Sequence, residues 1–460
     1  MNSELDKIKQ IIPITDRTVS PTFCMAKWHH TTIYLQTGET HSCYHPAPHK
    51  IPLTEIQDNP SALHNTQEKK LQRKEMLEGR KPSGCNYCWK IEAMGKDYVS
   101  DRHIKTASIY TPERLTEITE NGFNYDINPE YIEISFSNEC NFKCGYCHPK
   151  ASSRYYNEIK QHGPYETSTD HRQDIDWFKV FHREEENPYV EAWWKWWPEV
   201  SKTLNILRIT GGEPLMHKST WELFERLDAE PKPHLQIELN SNMGVKPALV
   251  KKLTDTVKRL KEENKIRSFK LYTSIDTWTD RAEYTRTGLD IKLWEQNLDY
   301  YLKNTGWPVT FMITFNLFSV TSFDTLLSKI LEWREKYNGD QNETQWQRIR
   351  FDTPHLKEPT IYDMNILPKD EFMPYMHKHL EFIKTNTDDK DRTKFSSLEY
   401  ERFRRVVNYM QNTSYEAEKL LEARRNFYNW FSEHDRRRNT NILKTFPELE
   451  NFWTLTQEAL

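Results

Sequence analysis

An alternating pattern of apolar and polar residues predicts a series of short strands in the middle of the chain. In residues 131–136, Ile132, Ile134 and Phe136 fall on one face, as they do in a half-buried strand. Comparable patterns occupy residues 205–210, 235–239, 269–275, 309–315 and 348–351, with helical patterns such as 248–262 and 291–301 between them. Strands that alternate with helices indicate an α/β fold built on a parallel sheet.

The two flanking segments have other patterns. Residues 31–43 read as a β-hairpin whose turn lies at residues 37–39. Residues 67–77 predict a helix with Leu71, Met76 and Leu77 on its apolar side. In the C-terminal part, helical spacing relates Phe403, Val406, Val407 and Met410, and also Leu420, Ala423, Phe427 and Trp430. We therefore expect an N-terminal α+β segment and a helical C-terminal segment.

Composition describes a globular protein. The 460 residues are 36% hydrophobic and 29% charged, and the net charge of −4 gives no global signature of nucleic-acid binding. The first residues lack the layout of a signal peptide, and no apolar run has the length of a membrane span. These features predict a cytoplasmic protein without a membrane partner.

Cysteine usage points to metal chemistry. An odd number of cysteines without a signal peptide argues against a disulfide framework and for metal binding in a reducing compartment. The seven cysteines form a group of four and a group of three, at positions 24, 43, 85 and 88 and at positions 140, 144 and 147.

Cys140, Cys144 and Cys147 have CxxxCxxC spacing in a loop that follows the strand pattern at residues 131–136. Closely spaced thiolates suit a soft metal centre, and an iron-sulfur cubane normally takes four cysteine ligands. With three ligands, one iron stays open, as a catalytic site needs. The alternative from the residues alone is a zinc knuckle with His148 as the fourth ligand, or three unrelated buried cysteines.

This loop, including Tyr146 before the last cysteine, resembles the signature of the radical S-adenosylmethionine (SAM) enzymes. The resemblance implies a [4Fe-4S] cluster at Cys140, Cys144 and Cys147, whose open iron is chelated by SAM. It also implies reductive cleavage of SAM to a 5′-deoxyadenosyl radical, hydrogen abstraction from a substrate, and an electron donor such as flavodoxin or ferredoxin. The implied fold is a partial (β/α)6 barrel with its site at the carboxyl ends of the strands.

Other motifs of the same family follow along the chain. The strand at 205–210 runs into Gly211-Gly212-Glu213-Pro214, which matches the GGEP motif whose backbone and carboxylate bind the methionyl ammonium of SAM. The resemblance also implies cofactor contacts by the strand-end residues Asn242, Ser274 and Asp276, and pairing of Arg286 with the SAM carboxylate. The alternative for each strand-end residue is an ordinary cap or turn.

The N-terminal cysteines resemble those of the SPASM/twitch auxiliary-cluster module, although here the module precedes the barrel. The resemblance extends from Cys24 to about Arg102 and implies a second [4Fe-4S] cluster held by Cys24, Cys43, Cys85 and Cys88. A structural zinc site with the same four ligands is the alternative.

We therefore predict an auxiliary module and linker at residues 1–125, a radical SAM barrel at 126–362 and a helical cap at 363–460. A peptide or protein is the first substrate hypothesis, because the module resembles those of enzymes that modify ribosomally made peptides. A nucleotide or nucleic acid is the second, based on the tryptophan-rich residues 193–197 and the arginines at 436–438. A non-catalytic zinc-binding interaction protein is the rival class. No single side chain is identified as a catalytic acid or radical relay.

Overall fold

The computed structural model describes residues 2–95, 99–168, 173–176, 179–181, 186–337 and 347–459, so parts of the predicted insertion at 151–201 lie outside the described residues. The strands are β1 His30–Tyr34, β2 Glu39–His41, β3 His49–Lys50, β4 Tyr131–Ser135, β5 Ile206–Thr210, β6 Lys232–Ser241, β7 Ile266–Ser274, β8 Val309–Met312 and β9 Ile349–Asp352. The helices up to the middle of the chain are α1 Asn2–Thr18, α2 Ala26–His29, α3 Leu53–Asp58, α4 Gln67–Leu77, α5 Asn86–Ala93, α6 Asp101–Ile109, α7 Pro112–Asn121, α8 Ser153–His162, α9 Pro188–Val200, α10 Lys218–Ala229 and α11 Pro247–Glu262. The remaining helices are α12 Asp280–Thr285, α13 Ile291–Asn304, α14 Phe323–Tyr337, α15 Lys369–Thr385, α16 Ser397–Asn412, α17 Ala417–Arg438, α18 Ile442–Thr445 and α19 Glu450–Gln457.

One nine-stranded sheet organises the chain, in the order β3-β2-β1-β4-β5-β6-β7-β8-β9. Strands β4 to β9 are all parallel, and α8 to α14 lie between them along the chain. This arrangement confirms the predicted α/β class and the partial (β/α)6 barrel. The apolar face of each strand packs on helices, so that Ile132, Ile134, Leu207 and Ile209 are fully buried.

The N-terminal hairpin extends this sheet instead of forming one of its own. Strand β1 pairs in parallel with β4, from His30 opposite Tyr131 to Tyr34 opposite Ser135, and β2 pairs with β1 in the antiparallel sense. The predicted division at residue 125 therefore falls within one continuous sheet. Local patterning predicts the hairpin but not its parallel partner, which lies about a hundred residues further along the chain.

Helix α4 differs from its predicted orientation. Leu71, expected on the apolar side, is 58% exposed, whereas Lys69 and Arg73 are fully buried together with Met76. Met76 is therefore buried as predicted, but it shares the buried face of α4 with two cationic side chains, and Leu71 lies on the exposed face.

The tryptophan-rich helix α9 is part of the core. Trp193, Trp196 and Trp197 are at most 4% exposed, and Trp193 packs edge-on against Phe136 of the segment after β4. Of the two uses considered for this aromatic segment, packing against the neighbouring layer is the one observed.

The three C-terminal arginines at 436–438 differ from one another in exposure. Arg436 is exposed and pairs with Glu433, but Arg438 is buried and forms a bidentate pair with Glu158 of α8. Arg437 also pairs with Glu433 and donates to the Gly163 carbonyl. All three guanidiniums have carboxylate partners, and Arg437 and Arg438 also join α17 to α8 and the residue that follows it.

Within the described part of the chain, no helix combines the length and the apolar character that crossing a membrane requires.

Candidate active site

The three-cysteine loop leaves the carboxyl end of β4. Cys144 is buried, Cys140 and Cys147 are half-buried, and none of the three forms a disulfide. Burial raises the pKa of all three thiols, that of Cys147 to about 12, and their mutual proximity adds to the rise for Cys140 and Cys147. Thiols held together in this way are best stabilised as thiolates by a bound metal centre.

The Gly211-Gly212 turn fits directly against this loop. The Gly212 amide donates to the Ser137 carbonyl at 3.2 Å, and the Glu213 amide donates to the Glu139 carbonyl at 2.7 Å. A Cβ on Gly212 would overlap the Glu139 carbonyl, and Gly211 has a φ of +119° that L side chains rarely adopt. The two glycines are therefore needed for the contact between the turn and the cysteine loop.

The Glu213 carboxylate is fully buried and has three partners within the chain. It accepts hydrogen bonds from the Asn242 amide at 2.6 Å, the Leu215 amide at 3.1 Å and the Ser241 hydroxyl at 2.9 Å. Burial raises its pKa to about 7 against the lowering effect of these bonds. The side chain thus joins the turn to the end of β6, while Pro214 begins the short helix that follows.

A second contact to the cysteine loop comes from the segment after β6. The Asn242 amide group donates to the Asn141 side chain at 2.8 Å, and Asn141 in turn donates to the Gly244 carbonyl at 2.7 Å. Phe142 fills the space that a side chain at Gly244 would need. The predicted site residue Asn242 is therefore in the wall that holds Cys140.

The third contact surrounds Asp276, which is fully buried after β7. Its carboxylate accepts from the Tyr146 hydroxyl at 2.5 Å, from Arg286 at 2.8 Å and from the Thr314 amide at 2.9 Å. Although burial opposes it, the Asp276 carboxylate raises the pKa of Arg286. Three predicted site residues, Tyr146, Asp276 and Arg286, thus form one connected group.

Ser274 ends β7 and is half-buried near this group. Asn316, at another strand end, caps a short helix and donates to the Thr314 carbonyl at 2.8 Å. Asn316 thus serves as an ordinary helix cap at a strand end.

Unpaired donors at the site fit an anionic ligand. Arg286 Nε is buried without a hydrogen-bond partner, and so is Asn138 Nδ2 just before the cysteine loop. A carboxylate such as that of SAM would satisfy the guanidinium, since arginine suits planar carboxylates. Three thiols plus these donors match the needs of a [4Fe-4S] cluster and SAM.

The zinc-knuckle alternative is less well supported. His148 Nδ1 accepts a hydrogen bond from the Lys150 amide at 3.1 Å, as the cap of a short helix. Among the residues that the structure describes, no three Cys, His, Asp or Glu side chains are grouped as ligands of a single metal ion. In a cubane each thiolate binds a different iron, so its ligands need not meet at one point.

The four N-terminal cysteines lie around one cavity. Cys24, Cys43, Cys85 and Cys88 line a small cavity, together with cations that include Lys27, Arg102 and Lys105. Burial raises the pKa of Cys24 to about 12, that of Cys88 to about 11 and also that of Cys43. Arg102 partly opposes this rise at Cys24, and Lys27 and Lys105 partly oppose it at Cys43.

The two cysteine sites lie at opposite edges of the sheet. Strand β2 runs antiparallel to β1 and leads to Cys43 at the amino edge, where the Tyr44 hydroxyl bonds that of Tyr131 at the start of β4. The three-cysteine loop follows the carboxyl end of β4. The first and last residues of β4 are four positions apart, which corresponds to about 13 Å along the strand. The loops at each end lengthen the distance between the two sites.

Sequence reasoning missed a charged belt on the inner face of the barrel. Glu133, Arg208, Glu238 and Lys270 lie side by side on β4 to β7 in strand register. Arg208 lies 4.0 Å from Glu133, and its guanidinium stacks on the Tyr272 ring at 4.2 Å. The alternating strand patterns contain these charged residues at their polar positions, so the sequence could have predicted a polar inner face of the barrel.

A family comparison matches this geometry. Residues 134–321 match the model of the Radical SAM superfamily. The match covers about two fifths of the chain, which therefore contains a radical SAM domain. The family implies a [4Fe-4S] cluster and SAM.

Individual relatives are more distant. The chain is 24% identical over 126 residues to the GTP 3′,8-cyclase of Nautilia profundicola, which covers 27% of this chain and 31% of that enzyme. It therefore spans about a third of the length of this curated relative. Two structures of Streptococcus suis SuiB, bound to the precursor peptide SuiA and to SAM, cover 78% and 80% of this chain and 69% of theirs, each with 12% identity. Their TM-scores are 0.33 and 0.31, and at these scores neither bears on the function of this chain.

Proposed function

We propose that this protein is a radical SAM enzyme that binds SAM at a [4Fe-4S] cluster held by Cys140, Cys144 and Cys147 and abstracts a hydrogen atom from a peptide or protein. The observation that carries the proposal is the clamped cysteine loop. Backbone bonds join it to the Gly211-Gly212 turn, and side chains of Asn242 and Tyr146 tie it to the ends of β6 and β7.

When bound, the cluster and SAM supply a 5′-deoxyadenosyl radical by one-electron reductive cleavage, for which we propose a donor of the flavodoxin or ferredoxin class. The chain's own residues fix geometry. Arg286, oriented by Asp276, offers its unpaired Nε to the SAM carboxylate, and the Gly-Gly-Glu-Pro turn offers backbone groups to the SAM ammonium. Ser274 and Asn242 are proposed to contact the remainder of the cofactor.

We propose a second [4Fe-4S] cluster at Cys24, Cys43, Cys85 and Cys88, in an auxiliary module that precedes the barrel. The cations Lys27, Arg102 and Lys105 on the wall of the same cavity suit the negative charge of a thiolate-ligated centre. The resemblance of this cysteine pattern to the auxiliary-cluster module supports a cluster over zinc.

A peptide substrate is favoured over a nucleic acid. Its support is the resemblance of the N-terminal cysteine pattern to modules of peptide-modifying enzymes. The two features that suggested a nucleotide are largely occupied within the fold, because Trp193 and Trp197 are buried in α9 and Arg438 is buried and paired with Glu158. We propose a cytoplasmic location, where thiols stay reduced.

Anaerobic reconstitution tests the proposal. The wild-type protein is expected to bind about eight irons, and the EPR signal of its reduced form should change on addition of SAM. Cys140→Ala should abolish formation of 5′-deoxyadenosine and leave about four irons. Arg436→Ala, which changes an exposed ion pair, is the control and should retain both properties.

Deoxyadenosine formation by the Cys140→Ala protein would contradict the assignment of the catalytic loop. A protein that binds zinc and no iron would instead support the rival hypothesis of a non-catalytic zinc-binding interaction protein. About four irons with one zinc would retain the enzyme and make the N-terminal site structural.

A further inference from the structure

Two buried cations beneath the four-cysteine cavity lack carboxylate partners. Lys69 and Arg73 are both 0% exposed, one helical turn apart on the inner face of α4. Of the described residues, no Asp or Glu lies within ion-pair distance of either side chain. Buried cations are normally paired, because an uncompensated charge in the interior is costly.

The hydrogen bonds of the Lys69 and Arg73 side chains go to neutral groups. Lys69 Nζ donates to the hydroxyls of Thr31 at 2.7 Å and Thr40 at 2.8 Å, both on the hairpin. The Arg73 guanidinium donates to the Asn65 side chain at 3.0 and 3.1 Å and to the Lys27 carbonyl at 3.0 Å. The hydrogen-bonding capacity of the cations is thus served, but their charge is not balanced.

Residues next to Lys69 and Arg73 line the four-cysteine cavity, although neither side chain is part of its wall. Met76, about one turn after Arg73 on the buried face of α4, lines that cavity, and so does Lys27, whose carbonyl binds Arg73. The hairpin that Lys69 bonds leads from Thr40 to Cys43. Of the carboxylates that act on these cations from further away, Asp126 is paired with Lys70, and the Glu68 side chain is 54% exposed.

We propose that Lys69 and Arg73 are the counter-charge of an anionic thiolate-ligated cluster in this cavity and that they raise its reduction potential. This inference rests on the proposed second cluster. One-electron reduction by an external donor adds one negative charge to such a centre, and nearby cations stabilise the added charge.

The same charges couple the centre to the stability of the module. In metal-free protein, Lys69 and Arg73 are buried cations without an anion and therefore destabilise the fold. Binding of the cluster removes that penalty. Lys69→Met keeps the length of the side chain and removes the charge, so it should stabilise metal-free protein and weaken the stabilisation gained on reconstitution.

The test uses the full chain carrying Cys140→Ala, Cys144→Ala and Cys147→Ala, so that only the N-terminal centre is present. Lys69→Met and Arg73→Met are introduced separately into this background. Lys74→Met is the matched control, because Lys74 lies on the same helix but contacts the Phe123 ring instead of the hairpin. Iron content, the midpoint potential from an EPR-monitored dithionite titration, and the thermal midpoint with and without metal are measured.

We expect about four irons in the background protein, a more negative potential in the Lys69 and Arg73 variants, and no shift in the Lys74 variant. Lys69→Met should also raise the thermal midpoint of metal-free protein. Full iron content with unchanged potentials would overturn the inference and leave the second cluster in place. Background protein that binds zinc but no iron would overturn the second cluster and the inference with it. If Arg73→Met does not fold, Lys69→Met alone decides between these outcomes.

Discussion

Arg286 Nη2 lies 2.8 Å from Asp276 Oδ1 in a fully buried ion pair, and Arg286 Nε beside it has no partner. We expect Arg286→Lys to weaken SAM binding about tenfold or more, because a lysine cannot keep the Asp276 contact and present a second N–H in the same plane. Anaerobic calorimetry measures the affinity. Arg267→Lys, at an exposed position of β7, is the control. Equal affinities of the variant and the wild type would contradict a role of Arg286 in binding SAM.

Removing the Asp276 carboxylate from the same pair should lower the free energy of unfolding. Asp276→Asn leaves the buried Arg286 guanidinium without its counter-charge, and breaking a buried pair in this way costs about 3–5 kcal/mol. Chemical denaturation of the metal-free protein gives this quantity. A loss below about 1 kcal/mol would mean that Arg286 finds another partner in the variant.

Gly212→Ala should separate the turn from the cysteine loop. Its Cβ overlaps the Glu139 carbonyl, which is backbone and cannot rotate away. We expect a stability loss of about 1–3 kcal/mol and loss of iron from the three-cysteine site only. Iron analysis with EPR detects this change. Gly84→Ala is the control for a glycine that has room, since its nearest neighbour is the Pro46 Cβ at 3.6 Å. Full iron content with an EPR signal that still changes on addition of SAM would contradict the need for glycine at position 212.

The buried group around Glu158 predicts a dependence of stability on pH. Burial would raise the pKa of Glu158, but Arg438, Lys143 and Tyr165 more than offset it and lower the pKa to about 2 from its usual 4.5. The folded state therefore holds the carboxylate charged, and this contribution is present above pH 4.5 and is lost as the pH falls toward 2. The shift corresponds to at most about 3 kcal/mol.

Arg438→Met should flatten this dependence and lower stability at pH 7 by about 3 kcal/mol or more, because Glu158 loses its bidentate partner. Denaturation curves at several pH values between 3 and 7 compare the variant with Arg436→Met, which changes only an exposed pair. Parallel profiles for the wild type and the Arg438 variant would contradict the assignment of the acid sensitivity to this group.

Much of the fold follows from local pattern. Alternation locates β5 to β9 to within a few residues, since one face of each strand must pack on helices. The same pattern locates the cysteine loop at a strand end. It does not reveal that β1 pairs with β4, because strand pairing between distant segments depends on the whole sheet.

The less predictable parts are polar groups inside the protein. Arg438 and Glu158 are 280 residues apart, and each reads locally as an ordinary exposed charge. Two of the three partners of Glu213, Ser241 and Asn242, lie at the end of β6, beyond the reach of motif reading. Lys69 and Arg73 show the strongest effect, because local patterning assigns charged residues to the exposed face of a helix, and here they lie beside Met76 on the buried face.

During synthesis, Arg438 leaves the ribosome 280 residues after Glu158, which corresponds to an interval on the order of tens of seconds. Throughout that interval Glu158, and with it Lys143 of the cysteine loop, lacks the guanidinium that fixes both. The residues that line the four-cysteine cavity lie between positions 24 and 105 and emerge much earlier. The two groups of cysteines therefore acquire their surroundings in a fixed order during synthesis, and the contacts around the three-cysteine loop are complete only after the final helices have docked.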